Sequence, residues 1–287
     1  MKDFKNVIAV ADDFSSESQC AIAHAAIFAK RDGSELLLIH ILNAKSKEQG
    51  NTEESIKSLL AAECAQIKQE YGIEARYATS EGSIFKDIAE TVKSESAKLL
   101  VMGTHGIKSL SERLLGSWAL RIVDASPVPV LIVQNKMPLD ADGYGKVVLE
   151  VDDSPESKIL LKYAILMHKT FGSEILVFAD REGDSYNEDQ VQLNLKFCIA
   201  ALENAHVPFR MAEEKPHQNY YKDLVRYAGE TSADMILIIA NNNKNFSDYL
   251  TEPEQKVIYN NAQIPVLCVT PLQNYIEDNF SYSGLNF

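Results

Sequence analysis

Gly103, Gly106, Gly116 and Ser117 follow the apolar run Leu99–Met102 with the spacing G-x2-G-x9-G-S. Residues of these types suit the binding of a phosphate chain. Glycine has no Cβ, so its backbone N–H approaches an oxygen atom closely and its φ is free to turn positive. A helix opening at Gly116–Ser117 offers unpaired N–H groups and the positive end of its dipole to an anion. The Ser117 hydroxyl is a further donor and also reaches a phosphate-bound cation. Lys108 and Arg113 place positive charge in the same stretch. Against this stands a plainer alternative, in which Gly103 and Gly106 shape a turn and Ser117 caps a helix.

The surrounding elements bear on the choice. Strands are predicted at about 5–11, 35–42, 73–79, 98–103 and 128–133, with helices at 16–31, 52–71, 83–95 and 116–125. The apolar runs suit a sheet buried on both faces. Ser15 or Ser16 caps the first helix, and Gly33 follows its end. Ile84, Ile88 and Val92 give the third helix one apolar stripe. The plan then repeats, with strands near 146–151, 174–180, 207–213, 234–240 and 265–269. KNVIAVADDFSSES answers KVVLEVDDSPES, Gly33-Ser34-Glu35 answers Gly172-Ser173-Glu174, and VPVLIV answers IPVLCV, at offsets of 140, 139 and 136 residues. The fold class is therefore α/β, as two tandem doubly wound five-stranded parallel sheets of Rossmann-like type. Domains are expected at 1–135 and 144–271, joined near Gln134–Gly145 and followed by a tail, 272–287, that carries Tyr275, Phe280, Tyr282 and Phe287. Ligands of such sheets sit at the carboxyl ends of the strands, where strand order reverses.

The second half lacks the loop. An ungapped alignment from Ala97 and Ala233 sets Gly103 on Ile239, Gly106 on Asn242, Gly116 on Glu252 and Ser117 on Pro253. A Glu252 carboxylate about 4 Å from a phosphate costs roughly 4 kcal/mol at an effective dielectric near 20. Pro253 still suits the first turn of a helix. Asp152 is left with strand-end or cap geometry, and Asn241–Asn243 form a short polar loop.

Composition limits the partners. Asp and Glu number 41 against 28 Lys and Arg, a formal charge of −13 in 287 residues. That field disfavours nucleic acid and anionic membrane, so neither is an expected partner. No apolar run reaches membrane-spanning length and no signal-peptide core is present, so the expected location is cytoplasmic. Cys20, Cys64, Cys198 and Cys268 are widely spaced and read as reduced thiols. His24, His40, His105, His168, His206 and His217 show no zinc spacing, and no activated nucleophile is evident. Asp12-Asp13 and Asp152-Asp153 read as caps rather than metal ligands, and Trp118 as core.

These motifs resemble the universal stress protein family, adenine-nucleotide-related α/β domains of the adenine nucleotide alpha hydrolase-like group. Residues 103–117 match the family's ATP-binding loop, and Asp12 at the end of the first strand matches a second mark. The usual Gly-Ser after that acid is replaced by Asp13-Phe14-Ser15. The resemblance implies phosphate contacts from Gly103, Gly106, Gly116 and Ser117, and nucleoside contacts from Asp12 and Ile41. It implies ATP as cofactor, with Mg²⁺, a role in stress response, and a binding module rather than a committed enzyme. It further implies a homodimer, or an intramolecular pseudo-dimer through Val128–Val133 and Ile264–Val269. A slow ATPase and a nucleotide-free scaffold are the alternatives.

Overall fold

The computed structural model describes residues 6–42, 52–104, 115–138, 143–154, 156–180, 185–213, 219–240 and 253–270. Its first half runs β1 (Val7–Ala11), α1 (Ser16–Asp32), β2 (Glu35–Leu42), α2 (Glu53–Tyr71), β3 (Ala75–Glu81), α3 (Ile84–Ser94), β4 (Ala97–Gly103), α4 (Leu115–Ala125) and β5 (Val130–Val133). The second half runs β6 (Lys146–Val151), α5 (Ser157–Phe171), β7 (Glu174–Ala179), α6 (Ser185–Asn204), β8 (Phe209–Met211), α7 (Tyr220–Glu230), β9 (Met235–Ile239), α8 (Pro253–Ile258) and β10 (Val266–Val269). The expected alternation is present throughout. β1, β3, β5 and β8 each begin two residues later than expected, and β3 also ends two residues later, so the whole strand is displaced. Gly72 ends α2 in the left-handed region, and Ile73 packs into the core before Ala75 begins to pair with β2.

All ten strands join one sheet, in the order β3-β2-β1-β4-β5-β10-β9-β6-β7-β8. Pairing within each half is parallel. The two last strands meet antiparallel, with Val266 opposite Ile132, Leu267 opposite Leu131 and Cys268 opposite Val130. Of the two arrangements expected for those segments, a homodimer or an intramolecular pseudo-dimer, this pairing is the intramolecular one. It satisfies backbone groups that would otherwise line two open edges.

Helices cover both faces. One core layer packs α1, α2, α5 and α6 on the sheet through residues such as Ala25, Leu60, Leu160 and Leu195. The other packs α3, α4, α7 and α8 through Ile88, Leu120, Leu224 and Val257. Each fully buried leucine or isoleucine in these layers contributes roughly 1.5–3 kcal/mol. Local signals place the helices that flank the strand ends. Ser15 Oγ accepts the Ser18 N–H at 3.1 Å and starts α1, while Gly33 at φ 72° ends it. His24 of α1 then ties down the segment between the halves. Its Nδ1 lies 2.7 Å from the Tyr144 hydroxyl and its Nε2 lies 3.0 Å from Lys136 O.

Candidate functional site

Strand order reverses between β1 and β4, so the crevice at their carboxyl ends is where this topology takes ligands. Asp12 to Ser15 turn the chain from β1 into α1. Asp12 N–H donates to Ile39 O at 2.9 Å, and His40 Nδ1 donates to Asp12 O at 2.8 Å. Asp12 Oδ1 accepts the Phe14 N–H at 3.0 Å, and Asp13 Oδ1 accepts the Ser15 N–H at 3.1 Å. Phe14 is held at φ 61°, a conformation rare for a bulky residue, with its ring 4.9 Å from that of His40.

Asp12 is only 4% exposed and faces the buried Glu63 carboxyl of α2, which also accepts from Gln19 Nε2. Two touching carboxylates do not both ionise. Burial, the hydrogen bond with Asp12 and the charge of Asp12 push Glu63 up to about 8, against the opposing effect of Gln19. At neutral pH Glu63 therefore holds a proton and donates it to Asp12. Cys64 beside the pair is pushed up to about 11 by burial, then by Glu63 and Asp12, which makes it a poor nucleophile.

Ile41 lies within β2 and is buried on the face that carries α3 and α4, with Ala11 partly buried against the same layer. Gly103 closes β4 under the first turn of α1. A Cβ there would sit 2.6 Å from Glu17 Cβ and 2.9 Å from the Glu17 carbonyl carbon. This gives Gly103 a packing reason beside the phosphate one. Gly116 and Ser117 fall in the first turn of α4, as the loop spacing predicts. Thus Asp12, Ile41 and Gly103 stand at the ends of three adjacent strands, Ile41 on the face that carries α4, and Asp12 and the open side of Gly103 on the face that carries α1 and α2. Gly106, His105, Lys108 and Arg113 lie outside the described residues, as do Asn241–Asn243, Glu252 and the tail.

Strand registers fix which residues of the halves correspond. Val7 pairs with Glu35 and Lys146 with Glu174, an offset of 139. Asp13 therefore corresponds to Asp152, and Asp12 to Val151. This corrects the offset of 140 read for the paired acids by one residue. In β4 and β9 the offset is 136, because Leu100 pairs with Val130 and Ile236 with Val266. Gly103 thus corresponds to Ile239, as aligned from sequence. Asp152 serves its turn: its Oδ1 accepts the Ser154 N–H at 3.0 Å and also the Ser157 hydroxyl.

The strand ends of the second half have different chemistry. Glu150 stands where Ala11 does, and Asp180 where Ile41 does. Glu150 is buried, and its Oε2 accepts the Ile239 N–H at 3.1 Å. Tyr220 replaces Ile84 and packs 5.5 Å from Phe178. Burial raises the Tyr220 phenol well above its usual range, and Glu150, Asp180 and Asp152 add to the shift. Sequence reading missed Glu63, Gln19, His40 and Glu150, because no spacing links them to the glycine pattern.

Comparison with known proteins places this geometry. Residues 5–134 match the model of the Universal stress protein family. The first half of the chain belongs to that family. A universal stress protein of Methanocaldococcus jannaschii is 25% identical over 148 residues, covering 43% of this chain and 91% of its own. A second from that organism is 29% identical over 144 residues, covering 44% and 81%. Over the whole chain, a universal stress protein crystal structure from Archaeoglobus fulgidus superposes with a TM-score of 0.74 at 19% identity, covering 93% of this chain and 97% of that one. The universal stress protein fold thus extends across both halves.

Proposed function

We propose that this protein is a nucleotide-binding member of the universal stress protein family. The domain at 1–135 binds ATP with Mg²⁺, and the domain at 144–271 serves as its structural partner. One observation carries the reading. At equivalent strand ends the first half presents Ala11, Ile41 and Gly103, while the second presents Glu150, Asp180 and Ile239. A small residue, an apolar wall and a missing Cβ suit an adenine ring followed by phosphate. Two carboxylates and a buried isoleucine oppose it. In this reading Gly103, Gly106, Gly116 and Ser117 hold phosphate and Ile41 lines the base. Asp13, partly exposed, takes the nucleoside contact that the resemblance assigns to Asp12, with Asp12 supporting the turn from beneath.

The protein acts as a stress-response binding module in the cytoplasm. Cys20, Cys64 and Cys198, all free, have thiols pushed up to about 11 with burial as the main cause, which suits structural cysteines. Among the described residues no helix is long and apolar enough to cross a membrane. The test is calorimetric titration of the full chain with ATP and Mg²⁺. One site per chain, lost in Gly116→Glu, is the expected result. Two sites, or none, would refute the assignment.

A further inference from the structure

The second half reaches into the site of the first. After α8, the Tyr259 N–H donates to Gln255 O at 2.9 Å and continues the helical turn. The Tyr259 hydroxyl crosses the seam and donates to Thr104 O at 3.1 Å. Thr104 directly follows Gly103, is buried, and donates its own N–H to Val133 O at 3.0 Å. The residues beside Tyr259 are fastened from the same direction. Gln134 Nε2 donates to Ile258 O at 3.2 Å and to Asn260 O at 2.9 Å. Asn260 is itself buried; its Oδ1 accepts the Ile264 N–H at 2.9 Å, and its Nδ2 donates to Val257 O and Ile264 O. The hydroxyl therefore stands on a rigid frame.

The contact has no mirror image. Ala240 corresponds to Thr104, and its N–H donates to Val269 O at 2.8 Å in the matching way. The residue corresponding to Tyr259 is Val123, which has no hydroxyl. An arrangement whose packing is otherwise repeated thus makes this bond in one direction only. It runs from the half without the glycine pattern to the half with it.

We infer that Tyr259 is a positioning residue for the nucleotide site of the first half, an inference that rests on the ATP-binding reading above. With its N–H bound to Val133 and its carbonyl bound to Tyr259, Thr104 is held from both sides. The backbone that directly follows Gly103 is thereby fixed in place. A site depends on such support, because small misplacements of donor groups weaken it strongly.

The test uses Tyr259→Phe in the full chain, which removes the hydroxyl and keeps the ring. Removal of one such bond is expected to weaken ATP–Mg²⁺ binding by about fivefold in calorimetry, and to lower the thermal midpoint by no more than about 2–4 °C. Amide exchange at Thr104 in the nucleotide-free protein is expected to quicken, while exchange in β10 stays as in the wild type. Gln134→Ala, which keeps the hydroxyl and loosens its frame, is expected to shift both readouts less, in the same direction. Exchange is measured without nucleotide, so the two ideas fail separately. A wild-type chain that binds no ATP overturns the proposed function. Unchanged Thr104 exchange in Tyr259→Phe overturns the role given to Tyr259, and so does unchanged ATP affinity in a wild type that binds.

Discussion

The two halves place their buried acid on opposite faces of the same strand end. In the first half Asp12 points into the α1 and α2 layer, and Ala11 puts no charge at the strand end on the α3 and α4 side. In the second half Val151 fills the α1-like layer, and Glu150 enters the other. Neither choice disturbs the sheet, since both halves keep the same strand order and parallel registers. What changes is the chemistry of the crevice at the carboxyl ends. The fold tolerates either polarity there, so function resides in a few strand-end positions and not in the layers that hold them.

The contrast is sharpened most by changing Ile239 and Gly103. Ile239→Ala empties a buried site and is expected to cost about 2–4 kcal/mol in chemical denaturation. Gly103→Ala forces a Cβ against Glu17 and is expected to cost about 1–3 kcal/mol. A neutral Gly103→Ala would remove the packing reason for that glycine and leave only the proposed phosphate contact to explain it.

A pH series separates the halves next. The Glu63 value rises from 4.5 to about 8 on folding, so the protonated form is favoured in the folded state. Its stabilising contribution is fully present below pH 4.5 and is lost as pH rises through about 8. Phe197, which carries no titratable group, occupies the corresponding place in α6. Glu63→Gln keeps a neutral donor for Asp12 at every pH. Urea midpoints at pH 5 and pH 9 are therefore expected to converge in this variant relative to the wild type. An unaltered pH dependence would show that the proton on Glu63 does not matter to stability.

The smallest effect is expected where the halves agree. Arg76 Nε bonds Glu35 Oε1 at 2.9 Å, and Arg210 Nε bonds Glu174 Oε1 at 2.7 Å, each between the outer two strands of its half. Arg210 is exposed, so Arg210→Ala is expected to cost about 0.5 kcal/mol or less. Arg76→Ala is expected to cost slightly more, because Arg76 also bonds Glu95 at 2.9 Å. A large loss in either variant, read from the same denaturation curves, would contradict this ranking.

Much of this was legible in the sequence. Apolar runs of strand length between helical stripes carry the α/β alternation, and repetition of Gly-Ser-Glu and of VPVLIV carries the correspondence of the halves. The loss of glycine at Ile239 was also readable, because β4 and β9 keep one ungapped register. Where two acids stand side by side, sequence could not decide which of Asp12 and Asp13 matches Asp152, since a one-residue slip reverses the face of every side chain. Only the pairing of Val7 with Glu35 and of Lys146 with Glu174 decides it. Glu63 and Tyr259 escaped for another reason. Each meets its partner across a long stretch of chain, through contacts that no local spacing encodes.

The antiparallel join of β5 and β10 has an evolutionary consequence. When two copies of one polypeptide associate through a shared edge, every substitution appears on both sides of the axis. Here the two edges lie on a single polypeptide, and each substitution appears once. A tyrosine can arise at 259 without one at 123, and a glycine can disappear at 239 and persist at 103. Joining the edges covalently releases the molecule from its own symmetry, so that one side can specialise while the other supports it.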